Sequence, residues 1–357
     1  MTEEKANELV RSTLSTISEV TKADNDYWSS KLENKIDEPC SYISRSKQGK
    51  QFRSLLIKTF NEIYYELDKP IIDMLSKVAE RLHNASLVID DIEDNSAMRR
   101  GMKTSHLVYG VAGSLNSANY SYFLALQELI DFEKNDSSQN GTNHARLAEV
   151  TQIFNEELLN LHRGQGLDIY WRDYRDKLDL STIPSTTDYI NMVKNKTGGL
   201  FRLMIRLMDC YSSFSVKETF KKERTDSILC LCDYLGIIYQ IRDDYLNLLS
   251  DSAVASNKGD FAEDITEGKF SFPVVLGIHQ ELKDSTNGSR IYEILLKKTS
   301  DVVLKKEMLS LLEKFGIFSS TKKVIQELGN TVIKTYLHSR NIKTQSLQKV
   351  VESLTSV

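Results

Sequence analysis

The chain has 357 residues, 40% of them hydrophobic and 27% charged, with a formal net charge of −4. This balance is ordinary for a globular protein of one large domain or two smaller ones. It excludes a general attraction to nucleic acid or to an anionic membrane surface, so any anion site must come from a local cluster of Lys and Arg. Four cysteines (Cys40, Cys210, Cys230 and Cys232) have neither zinc-site spacing nor disulfide density, which points to reduced thiols in the cytosol. There is no run of 18 apolar residues, and the acidic start Met-Thr-Glu-Glu-Lys has no apolar leader core. The expectation is a cytoplasmic protein with no membrane span and at most peripheral membrane association.

Only four prolines interrupt the chain, at 39, 70, 184 and 273, and apolar residues between them recur at three and four, which predicts an all-α fold. Residues 1–24, with Leu9, Val10, Leu14, Ile17 and Val20, read as a marginal amphipathic helix that packs on its own bundle or across a dimer interface. Gly49-Lys50-Gln51-Phe52-Arg53 then sets two cations at i and i+3 on one side of a helix start. Leu75, Val78, Ala79, Leu82, Ser86 and Ile89 form an apolar stripe that runs into Asp90-Asp91-Ile92-Glu93-Asp94, and Arg99-Arg100-Gly101 follows.

Polar breaks are expected at Glu133–Asn143, around Pro184 between Ser181 and Asp188, and at Ser250–Gly259. Between them lie Glu156, Glu157, Gln165 and Asp168, whose polar side chains suit either a cleft or a buried helix contact, and Lys196-Thr197-Gly198-Gly199. A second stripe, Leu231, Leu235, Ile238 and Ile241, runs into Asp243-Asp244-Tyr245-Leu246-Asn247, and Lys258 and Lys269 come after it. No break has the length or composition of an interdomain linker and no repeat of fixed period is visible, so one domain, 1–357, is expected. The tail beyond Lys322 is helical in pattern and carries no motif.

The two acid clusters carry the chemistry. Residues i and i+4 of a helix share a face, so Asp90 pairs with Asp94 and Asp243 with Asn247. A lone cluster of this kind is usually a solvated surface. Here each one ends an apolar stripe, at the helix end where negative charge is disfavoured. A bound cation relieves that, and magnesium suits a site with few carboxylates and phosphate oxygens. The scattered Lys and Arg exceed what one diphosphate needs, which suggests two anion sites: one bridged by metal between the clusters, the other metal-free on Lys50, Arg53, Arg100 and His83. Glu80-x-x-His83 is half of a di-iron motif, but no other His has Glu three residues before it, which excludes that reading.

DDIEDNSAMRRG, HRGQGLDIYWRD, NKTGG, YQIRDDYLNL and FAEDITEGKFSFP, in this order between about Gly49 and Pro273, resemble trans-isoprenyl diphosphate synthases, closest to the fungal-type geranylgeranyl diphosphate synthases. The resemblance implies a bundle of long, mostly antiparallel helices around a deep cavity, as a homodimer. It also implies three Mg2+ per active site, with Asp90, Asp94 and Asp243 as ligands. Lys50, Arg53, His83 and Arg100 would bind isopentenyl diphosphate. Arg99, Lys196, Thr197, Gln240, Lys258 and Lys269 would contact the allylic diphosphate, with Asn247 in a weaker place there. Lys196 and Gln240 would also join the Asp residues in catalysis.

The implied activity is farnesyltranstransferase, with dimethylallyl- and geranyltransferase steps. Electrostatic stabilisation of the departing diphosphate would drive it. One isoprene unit is roughly 5 Å, close to the helical pitch of about 5.4 Å, so Ala85 and Ser86, one turn before Asp90, gate tail length. Both are small. With Tyr122, Phe123 and His162 as the floor suggested by the resemblance, a C20 product is expected. A farnesyl diphosphate synthase or another chain length stays open at this stage. A terpene cyclase has no need of Lys50 and Arg53, and a non-catalytic regulatory subunit commonly lacks one acid cluster.

Overall fold

The computed structural model describes residues 3–22, 28–45, 52–135, 144–174, 183–212, 218–249, 261–284, 288–337 and 344–357. Among them the chain forms α1 (Glu3–Val20), α2 (Ser30–Ser41), α3 (Phe52–Phe60), α4 (Lys69–Glu93), α5 (Ser105–Tyr109), α6 (Val111–Asn135), α7 (His144–Asp173) and α8 (Thr186–Lys196). There follow α9 (Gly198–Tyr211), α10 (Glu218–Leu249), α11 (Glu263–Glu267), α12 (Phe272–Asp284), α13 (Arg290–Leu296), α14 (Val302–Lys314), α15 (Ile317–Tyr336) and α16 (Gln345–Thr355). The all-α expectation holds. The one departure among the described residues is a two-stranded hairpin, β1 (Met98–Arg99) with β2 (Met102–Lys103). Its turn residues, Arg100 and Gly101, have φ of 53° and 76°, the left-handed pair that a two-residue hairpin needs. Arg-Gly is an uncommon pair for that turn, and pattern reading missed it.

Local chemistry explains where the site-bearing helices start and stop. Pro70 stands in the first turn of α4, where its missing N–H does no harm, and Asp68 precedes it with extended backbone. Ile72, Leu75, Val78, Ala79, Leu82 and Ala85 bury the inner face of α4. Its last turn closes on Asp94, whose N–H donates to the Asp90 carbonyl at 2.8 Å, and Asn95 then turns left-handed at φ 52°. Helix α8 opens on a capping box in which Ser185 and Asp188 satisfy each other's backbone N–H.

Helix α4 packs along α6, α7 along α8 and α9, and α10 along α9 and α15. One apolar core runs through them from Leu56 in α3 to Leu354 in α16. Two glycines set how closely the site-bearing helices approach. A Cβ on Gly164 of α7 would lie 2.3 Å from the Lys196 backbone N, and one on Gly236 of α10 would lie 3.0 Å from the Gly198 Cα. Helix α1 buries none of its residues, and Leu9, Val10, Leu14, Ile17 and Val20 are all exposed, so within this chain it does not pack on the bundle. No helix among the described residues is long and apolar enough to cross a membrane.

Candidate active site

The C-terminal end of α4 carries four acids in five residues, and basic or amide side chains from three other segments converge on it. From the hairpin, Arg99 donates through Nε to Asp91 Oδ1 at 2.7 Å and through Nη2 to Asp90 Oδ2 at 3.3 Å. From α7, the Gln165 amide donates to Glu93 Oε2 at 2.6 Å and to Asp90 Oδ1 at 3.3 Å, and Arg172 donates to the Asp94 carboxylate and to the Glu93 carbonyl. From the end of α8, Lys196 Nζ sits 2.6 Å from Asp168 Oδ2 and 3.9 Å from Asp90 Oδ1. Gly164 makes this last contact possible, because only a residue without Cβ lets α7 lie against the backbone of α8.

The second acid pair is built differently. Asp243 is exposed, whereas Asp244 is buried and fully engaged. Asp244 accepts from Tyr189 Oη at 2.5 Å, Gln240 Nε2 at 3.0 Å, Lys269 Nζ at 3.0 Å and the Phe272 N–H at 2.9 Å. This carboxylate anchors α8, α10 and α12 to one another and holds Lys269 in place. Gln240 also accepts from Thr197 Oγ1 at 2.8 Å, a reach that the Gly236–Gly198 crossing allows. Lys269 also donates to Asp264 at 3.4 Å.

The ends of α4 and α10 share one electrostatic space. Burial pushes the Asp94 carboxyl up to about 7, Asp90 adds to the rise, and the Lys196 and Lys269 charges oppose it. Asp264 is also raised to about 7, by burial against the pull of Lys269, with Asp244 and Asp243 raising it further. Glu267 goes up to about 9, first by burial and then by Asp94 and Asp264. Asp168 goes the other way: burial would raise it, but the charges of Lys196 and Lys269 bring it below its ordinary value. Lys196 and Lys269 themselves are raised by their carboxylates in spite of burial. Lys196 thus serves the α4 end and Lys269 the α10 end, and the charges of both act on Asp94 and Asp168.

A second basic feature lies alongside. Arg100 Nη2 is 3.3 Å from His83 Nε2, and burial together with the Arg99 charge lowers the Arg100 pKa. Lys50, Lys258 and the Arg53 side chain fall outside the described residues.

The family model for polyprenyl synthetases matches residues 33–312. The chain belongs to the polyprenyl synthetase family. It is 38% identical over 335 residues to a geranylgeranyl pyrophosphate synthase of Eremothecium gossypii, covering 92% of this chain and 96% of that one. It is 41% identical over 301 residues to geranylgeranyl pyrophosphate synthase 1 of Zymoseptoria tritici, covering 84% and 80%. A geranylgeranyl pyrophosphate synthase of Fusarium fujikuroi is 39% identical over 329 residues, covering 92% and 70%.

The donor set of this polyprenyl synthetase fits a hard divalent cation. All the acids are oxygen donors, and they crowd together with two buried carboxylate oxygens, Asp91 Oδ2 and Asp264 Oδ2, without a hydrogen-bond partner among the described residues. Among those residues no three His, Cys, Asp or Glu side chains stand together closely enough to hold a metal ion by themselves. A divalent cation such as magnesium takes only one or two carboxylates and fills its remaining positions with water and phosphate oxygens, so a set this sparse is compatible with it.

Not every expected residue stands where the sequence suggested. The Asn247 amide oxygen accepts from the Asp264 N–H at 3.1 Å, so it props the start of α11. Ser86 is half-buried, with Oγ on the His83 carbonyl, and Ala85 lies on another face of α4 against Cys40, Val88 and Ala118. Tyr122 packs on that small core, and its ring is 5.5 Å from His162. Phe123 is 71% exposed. It forms no floor with Tyr122 within one chain, because one residue along a helix turns a side chain by about 100°, and His162, exposed as well, does not close one either. Arg172, Tyr189, Asp244 and Asp264 were not foreseen. Arg172 had a detectable signal, since Gln165, Asp168 and Arg172 repeat at three and four along α7.

Proposed function

We propose that this polyprenyl synthetase condenses isopentenyl diphosphate with dimethylallyl, geranyl and farnesyl diphosphates and releases geranylgeranyl diphosphate. The observation that carries the reading is that Lys196 reaches Asp90 at one acidic helix end and Lys269 reaches Asp244 at the other, beside the separate Arg100–His83 pair. The printed names of the relatives favour the same product.

Asp90, Asp94 and Asp243 would hold magnesium, three ions in our reading, which supplies neutralising charge to the departing diphosphate. Arg99, Lys196, Lys258 and Lys269 bind the allylic diphosphate, and Lys50, Arg53, His83 and Arg100 bind isopentenyl diphosphate. The allylic C1–O bond breaks and its electron pair leaves with the diphosphate, where the fixed cations stabilise the charge. The double bond of isopentenyl diphosphate forms the new C–C bond to C1. A proton then leaves the adjacent carbon for the departed diphosphate. Thr197 and Asp244 fix the Gln240 amide, whose oxygen dipole can steady the carbocation. The apolar tail runs from Asp90 past Ser86 toward the half-buried Tyr122, and burial of the reacting end keeps water from the cation.

In the same reading a second copy of the chain would dock on α5, α6 and α7. Leu107, Val108, Val111, Leu115, Phe123 and Leu159 on these helices are each exposed, and burial of such side chains is what a second copy would supply. Phe123→Glu should shift the protein toward monomer in sedimentation. The activity is tested by incubating the protein with farnesyl and isopentenyl diphosphates and Mg2+ and separating the products. A C20 diphosphate is expected; no condensation, or a product shorter or longer than C20, would overturn the assignment.

A further inference from the structure

Gln165, Asp168 and Arg172 share one face of α7, and each meets the acid-bearing end of α4 or its partner Lys196. Arg172 is the most constrained of the three. Nη1 donates to Asp94 Oδ1, Nη2 donates to the Glu93 carbonyl at 2.9 Å, and Nε donates to Asp173 Oδ1 at 3.1 Å. The residue is buried. Asp173 also accepts from Lys298 Nζ at 2.8 Å. The Lys298 stem covers Gly268, where an added Cβ would lie 2.9 Å from Lys298 Cγ. Gly268 stands between Glu267 and Lys269. A continuous string of contacts, Asp94–Arg172–Asp173–Lys298–Gly268, therefore joins the end of α4 to the segment that carries Lys269.

We propose that Arg172 is a positioning residue for the cation site: it fixes the Asp94 carboxylate and sets its distance from the Lys269 segment. This rests on the reading of Asp94 as a cation ligand. Asp94 is the C-cap of α4, with φ −91° and ψ −6°, beyond the last full turn and at the negative end of the helix dipole. The helix itself does not hold its side chain. A guanidinium contacting a carboxylate, a carbonyl and a second carboxylate does so through its planar fork, which a lysine ammonium cannot reproduce.

The test is Mn2+ binding by paramagnetic resonance, with farnesyl thiodiphosphate as an unreactive allylic ligand, together with Mg2+ titration of turnover. Wild type, Arg172→Lys, Arg172→Gln and Asp94→Ala are compared. Loss of a residue that orients a metal ligand weakens metal binding by about 10–100-fold, and both Arg172 variants should show at least the lower figure. Their KM for isopentenyl diphosphate should stay unchanged, and excess Mg2+ should restore much of kcat. Wild-type Mn2+ affinity in either Arg172 variant would overturn the proposal, the Lys variant because charge alone would then suffice. Wild-type affinity in Asp94→Ala would instead remove the cation reading of Asp94 itself. Should the Arg172 variants fail to fold, Asp173→Asn and Lys298→Met load the same string from its outer end. They should weaken Mn2+ binding in the same direction and less; unchanged binding in both would overturn the proposal.

Discussion

Replacing Gly164 by alanine tests whether helix approach places Lys196. The added Cβ would sit 2.3 Å from the Lys196 N, 2.8 Å from the Met192 O and 2.9 Å from the Asn195 C. All three are backbone atoms, so no side chain can swing aside, and α7 and α8 must separate by about 1 Å to reach ordinary contact. Overpacking of this kind costs about 1–3 kcal/mol. Helix propensity works the opposite way, since alanine stabilises a helix interior by about 1 kcal/mol over glycine. The contact should win, with a net melting-temperature fall of a few degrees at about 2–4 °C per kcal/mol. The same separation lengthens the 2.6 Å Lys196–Asp168 contact and moves Lys196 from Asp90. A displacement near 1 Å in a catalytic constellation lowers turnover by about 10²-fold. Calorimetry and steady-state turnover with farnesyl and isopentenyl diphosphates read the two effects. A Gly164→Ala protein that melts above wild type and turns over normally would show that the close crossing does not position Lys196.

Neighbouring aspartates should separate function from stability. Asp90→Ala and Asp243→Ala should lose turnover by orders of magnitude with near-normal melting, and a folded Asp90→Ala enzyme of normal activity would refute the cation clamp. Asp244→Ala should instead unfold easily, losing about 3–5 kcal/mol in denaturant titration, because it removes the acceptor shared by Tyr189, Gln240, Lys269 and the Phe272 N–H and leaves Lys269 only the longer Asp264 contact. Ser86→Phe should shift the product toward C15 on chromatography, and unchanged C20 output would mean that the tail does not pass Ser86. The Arg172 and Lys298 hydrogen bonds hold Asp173 down to about 2, from 3.8. Its stabilisation is thus complete above the unfolded value and disappears as pH falls through about 2. Wild-type and Asp173→Asn melting temperatures should therefore differ at neutral pH and converge between about pH 4 and 2; parallel curves would contradict this.

Much of the architecture follows from short-range pattern. The stripe 75–89 and the stripe 231–241 are legible because burial on one helix face imposes a period near 3.6. The same period places the acids at the stripe ends. The pairing of Arg100 with His83 also lies within the set that sequence reading proposed for one anion. Adjacent acids were harder to sort. Asp243 is exposed and Asp244 buried, and Asp91 is more buried than Asp90, although each pair reads as identical letters in the chain. A 100° rotation separates them, and the orientation of that rotation toward Tyr189, Lys269 or Arg99 comes from other helices. Asn247 turning to α11, Phe123 facing outward and Arg172 gripping Asp94 have the same origin. Periodicity states which side of a helix is inward. Which partners wait there depends on how helices distant in sequence cross, and at Gly164 and Gly236 a missing Cβ decides how near they come.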